Sequence, residues 1–247
     1  VTSAQPPPFI VEFPRGSIEL LAVAEHPSTG GLGWRMDGLP ALEGPFVNEG
    51  SKTHPDASQW AREFVFRTRD LPVDASPLRF EFEGSAALVG RGAPAAGSAP
   101  GQSLANHHLI VATFPRIQRV ASIRVGAAFG PWRTLTQSTG VGSFGKTVRH
   151  ERVEWKIAHG TPIESKDGRT IVSCTASEYP DWEGRLVALT RDGKEVTASR
   201  VWMLNQQSDW SFADLPLGTV REFRFQVRPR HWVEFRGIQL VPAAQQP

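Results

Sequence analysis

Short stretches in which hydrophobic and polar residues alternate recur along the whole chain. The alternation is clearest over 222–228, where Phe223, Phe225 and Val227 take one parity and charged or polar residues take the other. Residues 78–83 repeat this pattern. Because successive side chains of a strand point to opposite faces, a period of two predicts strands with one buried face. The predicted strands span residues 17–24, 63–68, 78–83, 108–114, 122–127, 148–158, 169–175, 185–190, 200–204, 221–228 and 232–241.

Turn-forming residues separate these stretches. Gly (23 residues) and Pro (20 residues) interrupt the chain at short intervals. The pairs Asp37-Gly38, Asp167-Gly168 and Asp192-Gly193 suit tight turns, because both residue types tolerate positive φ. Only residues 56–63 offer a helix start, and it leads directly into a strand pattern. Many short strands between turns predict an all-β fold of β-sandwiches, immunoglobulin-like or jelly-roll-like.

Two low-complexity stretches divide the chain. Residues 84–105 are mostly Gly, Ala, Ser and Pro, which predicts a long mobile surface loop. Residues 137–145 form a shorter linker-like segment near the midpoint, where a domain boundary is expected. We therefore predict a linker or processed N-terminal stub at 1–10, a first sandwich domain at 11–138 and a second at 145–243.

The two predicted domains share a sequence pattern at an offset of 100 residues. The matched pairs are Val120 with Val220, Ile123 with Phe223, Arg124 with Arg224, Val125 with Phe225, Trp132 with Trp232 and Leu135 with Phe235. Strand alternation alone matches many positions by chance, but the same Arg-to-Trp spacing in both copies favours an internal duplication. Each copy is predicted to be a hairpin, in which Pro131 or Pro229 bends the turn and the Trp opens the return strand.

Charge and composition argue against several classes of ligand. The net charge of +2 indicates neither a nucleic-acid binder nor a general binder of acidic membranes. No apolar run reaches the roughly 18 residues of a membrane-spanning helix, so no transmembrane segment is predicted. The seven His residues are scattered without the paired spacing of a metal site, and we predict neither metal nor cofactor. The single cysteine, Cys174, lies in a strand-like run that favours a buried, inert thiol.

Two segments resemble a known kind of module. The first is Ile18-Glu-Leu-Leu-Ala-Val-Ala-Glu-His-Pro-Ser with Gly33-Trp-Arg-Met-Asp-Gly, and the second is Phe223-Arg-Phe-Gln-Val-Arg-Pro-Arg-His-Trp-Val-Glu-Phe-Arg-Gly-Ile-Gln-Leu. These segments, about 35 residues, resemble a little-characterised extracytoplasmic β module at the C-termini of some bacterial envelope-anchored regulators, including proteins similar to antibiotic-sensing membrane metallopeptidases. The His-Glu-x-x-His helix and the membrane spans of the peptidase part are absent from this sequence. The resemblance implies an extracytoplasmic location and an interaction role, and nothing about catalysis.

One acidic and aromatic cluster is a candidate binding site. Asp181 and Glu183 flank Trp182, and an indole beside carboxylates suits stacking on a sugar ring. Glycoside hydrolysis needs two carboxylates across a cleft, and Glu178 is a further acid in this loop. The alternative is a polar loop that Trp182 anchors to the core.

A row of cations is a second candidate site. Arg224, Arg228 and Arg230 are among five arginines within 221–236, and arginine favours bidentate recognition of carboxylate or phosphate. The alternative is a solvated ladder that two glutamates of the same segment neutralise.

Three further tryptophans, Trp34, Trp60 and Trp210, lie beside turn signals like Trp182. Exposed aromatic residues in such places often mark protein or glycan contacts. The alternative is that these indoles close the ends of the two cores.

These features favour a non-catalytic extracytoplasmic protein, in the periplasm or on the outer face of the inner membrane, whose role is interaction. A sensor module would hold a glycan or a small anionic ligand in a concave pocket. A structural accessory subunit of an envelope membrane complex would instead present broad apolar patches to a protein partner. The alternative outside this class is a glycan-active enzyme that uses the loop 178–183.

Overall fold

The computed structural model describes residues 9–26, 33–42, 46–47, 58–83, 87–92, 95–96, 104, 106–204 and 207–245. The strands are, in chain order, β1 (Ile10–Glu12), β2 (Ser17–Glu25), β3 (Phe46–Val47), β4 (Gln59–Arg69), β5 (Arg79–Phe82), β6 (Ala87–Gly92), β7 (Ala95–Ala96), β8 (His107–Pro115), β9 (Val120–Ala128), β10 (Arg133–Ser138), β11 (Phe144–His150), β12 (Val153–His159), β13 (Ile163–Glu164), β14 (Thr170–Ala176), β15 (Trp182–Thr190), β16 (Glu195–Thr197), β17 (Ser199–Leu204), β18 (Gln207–Phe212) and β19 (Val220–Gln239). Two short 3₁₀ helices span Leu217–Thr219 and Ala243–Gln245. No helix in the described part of the chain has the length and apolarity to cross a membrane.

The strands form antiparallel sheets, which confirms the predicted all-β fold. One sheet has the strand order β1-β2-β4-β8-β6, and a second has the order β16-β15-β19-β9-β5 with β10 also paired to β19. A third has the order β11-β12-β14-β18-β17 with β13 beside β14. Strands β3 and β7 form a separate two-stranded sheet.

The chain divides into two compact units. Unit 1 comprises Val1–Ala127 and His231–Pro247, and unit 2 comprises Ala128–Arg230. This division differs from the predicted domains at 11–138 and 145–243. The reason is strand pairing, because β10 pairs with the first half of β19 in unit 2, whereas the C-terminal residues belong to unit 1. Most of the predicted stub lies outside the described residues.

Aromatic packing holds unit 1 together. Phe64 of β4 contacts Phe82 of β5 with ring centroids 5.7 Å apart. The neighbouring Phe66 contacts Phe80 at 5.2 Å and Phe235 of β19 at 5.5 Å. The opposite face of the first sheet buries Leu21, Ala22, Ala41, Ala61, Val65, Leu109 and Val111. Because both faces are covered, β2 and β8 have nearly continuous hydrophobic runs rather than strict alternation.

Unit 2 is a two-layer sandwich with one shared core. The third sheet contributes Trp155, Ile157, Val172, Cys174, Trp210 and Phe212 to this core. The facing layer contributes Leu186, Ala188, Phe223, Phe225 and Val227. Alternate residues of β19 therefore point into the core, as the period of two predicts, and the thiol of Cys174 is buried as predicted.

The predicted pair of hairpins is wrong. β19 runs without a break through Pro229, so the second copy contains no turn. β10 follows Trp132 and pairs with β19. Proline is tolerated in β19 because Pro229 is the last residue in register with β15, so its missing N–H falls where that ladder ends. The internal duplication itself stays a prediction.

Three local predictions are also corrected. The single strand predicted at 148–158 is the hairpin β11–β12, which turns at Glu151 with a φ of 54°. The predicted loop 84–105 contains β6, which is stabilised by pairing with β8, and β7, which pairs with β3. The rest of the predicted mobile loop lies almost wholly outside the described residues, so its mobility stays a prediction. The helix start that residues 56–63 offer is overridden from Gln59 by β4, because pairing with β2 and β8 outweighs local propensity.

The three predicted Asp-Gly turns are confirmed. Gly38, Gly168 and Gly193 have φ values of 84°, 78° and 86°, respectively. Positive φ carries no steric cost for glycine, so these pairs set where the chain reverses. The Asp192-Gly193 turn joins β15 to β16 and forms part of the candidate site.

Candidate functional site

The predicted acidic and aromatic cluster lies where β15 begins in unit 2. The Trp182 ring is half-buried and lies edge-on to His150 and Trp155, with centroid distances of 5.2 and 6.2 Å. Because Trp155 belongs to the core, these contacts anchor the Trp182 loop to it, which favours the structural alternative. Of the three predicted residues, only Asp181 is exposed.

Two of the predicted cations contact this loop. Arg228 Nε donates a hydrogen bond to Glu183 Oε2 at 2.7 Å, and the Arg228 side chain is only 4% exposed. The backbone N–H of Arg230 donates to the Asp181 carbonyl at 2.8 Å, and Arg230 is half-buried. The Glu183 carboxylate is therefore bound by an arginine of the neighbouring strand.

Four of the five arginines in the predicted row form ion pairs with glutamates of their own strand or of the neighbouring strand β15. Arg224 Nε donates to Glu222 Oε1 at 2.7 Å, and Arg221 lies 3.7 Å from the same oxygen. Within unit 1, Arg236 forms an ion pair with Glu234 at 2.6 Å. With Arg228 bound to Glu183, this arrangement matches the neutralised ladder rather than an open anion site.

Trp132 lies on the outer face of the sheet of unit 2 and stacks with two arginines. The guanidinium carbons of Arg185 and Arg228 lie 4.3 and 4.2 Å from its ring centroid. Arg185 also donates to Gln226 Oε1 at 2.8 Å and to Glu195 Oε1 at 2.7 Å. Burial lowers the pKa of the Arg185 guanidinium, the charge of Glu195 opposes this shift, and the charge of Arg228 adds to it. Polar and aromatic groups of this face therefore satisfy one another.

None of the four tryptophans predicted beside turns is exposed. Trp34 is 5% exposed, and Trp210 is 4% exposed within the core of unit 2. Trp60 and Trp182 are half-buried. The burial of these four side chains therefore favours the alternative in which they close the cores, rather than a role in ligand contact.

In unit 1, Trp34 and Trp60 stack with one buried arginine. The Arg62 guanidinium carbon lies 5.5 Å from the Trp34 ring centroid and 4.5 Å from that of Trp60. Arg62 Nε donates to the Leu240 carbonyl at 2.7 Å, and Trp34 Nε1 donates to the Gln239 carbonyl at 2.7 Å. These contacts tie the C-terminal segment to β4.

A groove of about 630 Å³ opens at one end of unit 2. One wall is the turn between β15 and β16, and the other is the segment 213–219 that leads into β19. The backbone N–H of Arg191 donates to the Thr219 carbonyl at 2.9 Å and joins the two walls. Val196 and Leu215 contribute apolar surface to the lining, so the groove combines apolar and charged groups.

Three charged side chains of the groove are exposed and make no ion pair or hydrogen bond with any described residue. They are the cations of Arg191 and Lys194 and the carboxylate of Asp214. The remaining acid, Asp192, accepts a hydrogen bond from the Thr190 hydroxyl, and this bond holds its pKa below the usual value. Within the described residues, the groove therefore presents two cations and one carboxylate that form no ion pair, although the charge of Lys194 also contributes to lowering the pKa of Asp192.

No sequence pattern marks these groove residues as a binding site. The Asp192-Gly193 pair marks the turn that carries Arg191 and Lys194, but a turn alone does not predict a binding site. No pattern places Asp214 beside this turn, because their proximity depends on the pairing of β15 with β19. The stacking of Trp132 with arginines of two other strands escaped prediction for the same reason.

Two of the histidines lie in partly or fully buried positions within strands. His159 is 2% exposed and lies 2.9 Å from Thr136 Oγ1, and burial lowers its pKa. Burial, and next the charge of His107, lowers the pKa of His108. Among the described residues, no three His, Cys, Asp or Glu side chains are grouped closely enough to hold a metal ion.

Comparisons of the chain with protein-family models, with curated proteins and with solved structures give no match.

Proposed function

We propose that this protein is a non-catalytic binding protein whose ligand site is the groove of unit 2. The observation that carries the proposal is the set of unpaired charges in a concave site, Arg191, Lys194 and Asp214. The sheet face around Trp132 pairs its charges internally, and the groove differs from it in holding these three charges around a concave surface. The volume of about 630 Å³ falls within the range of roughly 300–1,000 Å³ of small-molecule sites.

The charges indicate the chemistry of the ligand. Arg191 and Lys194 suit a carboxylate or phosphate, for which charge-assisted hydrogen bonds are the strongest available. Asp214 suits a hydroxyl or ammonium donor, and Leu215 and Val196 suit a small apolar part. We therefore infer a small organic molecule with an anionic group and a hydrogen-bond donor, which fits a sensor role better than a structural one.

The location outside the cytoplasm, in a bacterial envelope, is part of this proposal and rests on the resemblance of two sequence segments. The structural-subunit role and the glycan-active alternative stay predictions. The pairing of Glu183 with Arg228 lends the enzymatic alternative no support, since it occupies one of the two carboxylates that alternative needs.

A ligand screen on the purified full chain tests the proposal. Small carboxylates, phosphates, sugar acids and amino sugars are added singly, and stabilisation is read from the thermal unfolding midpoint. Affinities of the hits are then measured by calorimetry for Arg191→Ala, Lys194→Ala and the control Lys166→Ala. Lys166 is an exposed cation of unit 2 outside the groove.

We expect hits whose affinity falls about tenfold or more in the two groove variants, because each variant removes a charge-assisted hydrogen bond. The control variant is expected to keep its affinity. Equal affinity in all four proteins contradicts the groove as the site. A screen without hits, together with stoichiometric co-purification of membrane proteins from native cells, favours the accessory-subunit role instead.

A further inference from the structure

The turn between β8 and β9 projects an aliphatic side chain from unit 1 into solvent. Ile117 is 89% exposed, and Val120 at the start of β9 is 44% exposed. The backbone N–H of Gln118 donates to the Pro115 carbonyl at 2.9 Å, which closes the turn and places Ile117 at its tip. Single exposed aliphatic side chains are normal on a protein surface, so Ile117 indicates an interaction surface only through the groups that surround it.

Two arginines flank this tip. Arg116 and Arg119 are exposed and form no ion pair with a described residue. The Arg119 guanidinium carbon lies 5.1 Å from the ring centroid of Trp60, which also stacks with Arg62. Burial lowers the pKa of Arg62, the charge of Glu25 opposes this, and the charges of Arg116 and Arg119 lower it further. Three cations therefore lie close together, and among the described residues Glu25 is the acid whose charge opposes them at Arg62.

A second turn of unit 1 is linked to the first. Two backbone N–H groups of the segment 240–243 donate to the carbonyls of Arg119 and Gly38, each at 2.8 Å. The second turn exposes Leu39, which is 47% accessible, and its one acid is already ion-paired within the turn. This end of unit 1 thus combines exposed aliphatic side chains with arginines that form no ion pair with a described residue.

We propose that this end of unit 1, with Ile117 between Arg116 and Arg119 at its tip, docks on a lipid bilayer that carries anionic headgroups. The arginines bind headgroup phosphates, while Ile117 enters the boundary between headgroups and acyl chains. A water-soluble anion would use the arginines but leave the aliphatic tip in water, so the bilayer accounts for both features. The small net charge of the chain does not reveal this site, because the excess of cations is local.

Vesicle co-sedimentation of the full chain tests the proposal. The vesicles are pure phosphatidylcholine, or phosphatidylcholine with about 30% phosphatidylglycerol, which supplies a negative surface potential. We expect binding to the anionic vesicles alone, and we expect it to weaken as salt screens the charges. This site shares no residue with the groove, so the vesicle-binding and ligand-binding experiments test the two proposals independently.

Matched variants separate docking from general charge attraction. Arg116→Gln with Arg119→Gln is expected to lower the partition coefficient about 30-fold, since each cation near a membrane surface contributes about fivefold. Ile117→Ser is expected to lower it about tenfold through lost apolar burial. The controls are Arg149→Gln with Arg152→Gln, which removes the same charge from exposed positions of unit 2, and Val141→Ser, at a residue 87% exposed there.

The proposal requires loss of binding in both tip variants and its retention in the controls. Equal loss in the paired controls indicates unspecific attraction and overturns it. Retained binding in Ile117→Ser also overturns it, because the arginines then act as a site for a soluble anion or a headgroup without insertion. Absence of binding to anionic vesicles overturns it directly.

Discussion

At the scale of single residues, several tryptophan rings of this protein are covered by arginine side chains of the same chain, so they serve packing rather than ligand contact. The sequence marks Trp60 as a candidate ligand contact, but its ring stacks with two guanidinium groups of the chain itself. The ring of Trp132 also stacks with two guanidinium groups. A cation over an indole contributes about 0.5–2 kcal/mol, depending on desolvation. These contacts therefore stabilise the sheets, and the unpaired charges available for a ligand lie elsewhere, in turns.

The first prediction concerns the buried Arg228. Replacing it in Arg228→Met leaves the Glu183 carboxylate unpaired and removes one stacking contact on Trp132. We expect a loss of about 2 kcal/mol or more in the free energy of unfolding, measured by urea denaturation. The control is Arg236→Met, whose side chain is 78% exposed in its ion pair. It should change stability little, because solvent screens such pairs. Similar losses of stability in both variants would mean that the buried Arg228–Glu183 pair contributes no more than the exposed Arg236–Glu234 pair.

The second prediction concerns pH and His159. Burial lowers the pKa of this imidazole in the folded state, so the unfolded chain binds the proton more readily. Stability should therefore be complete above about pH 6.5 and fall as the pH drops below that value. We expect His159→Gln, which keeps a hydrogen-bonding group beside Thr136, to lose less stability between about pH 7.5 and pH 5.5. Parallel stability curves for the two proteins would refute this role of His159.

At the scale of elements, alternation predicted strands well and missed their ends. The strands at 17–24 and 108–114 were found because hydrophobic runs between turn signals leave few other options. The reversal at Glu151 was missed because a glutamate with positive φ has no sequence signal, unlike an Asp-Gly pair. The continuity of β19 was missed because Pro229 indicates a turn when its pairing partners are unknown.

The third prediction compares two glycines in strands. A Cβ on Gly184 of β15 would lie 2.8 Å from Cζ of the buried Phe225 ring, whereas a Cβ on Gly145 of β11 would meet only Ala158 Cβ at 3.9 Å. Gly184→Ala should therefore destabilise the protein by about 1–3 kcal/mol through overpacking. Gly145→Ala should be neutral or slightly stabilising, since alanine restricts the unfolded chain. The free energies of unfolding of both variants are measured by urea denaturation. An unchanged value for Gly184→Ala would contradict the tight contact with Phe225.

At the scale of the whole molecule, the fold class was accessible from the sequence, while the candidate site was not. Strand periodicity needs only neighbouring residues, so it predicts sheets directly. The groove brings the turn after Thr190 against the segment 213–219, and their proximity exists only once β15, β16 and β19 have paired. The vesicle-docking tip depends in the same way on contacts between separate turns of unit 1.

The most direct test of the binding proposal is amide chemical-shift mapping on the ¹⁵N-labelled full chain, titrated with the strongest hit of the ligand screen. The proposal predicts saturable shifts concentrated in the β15–β16 turn and in residues 213–219, and predicts their loss in Arg191→Ala. Shifts centred on the loop at 178–183 would contradict it and move the binding site to residues that the sequence first suggested. Shifts centred on the Trp132 face would contradict it as well.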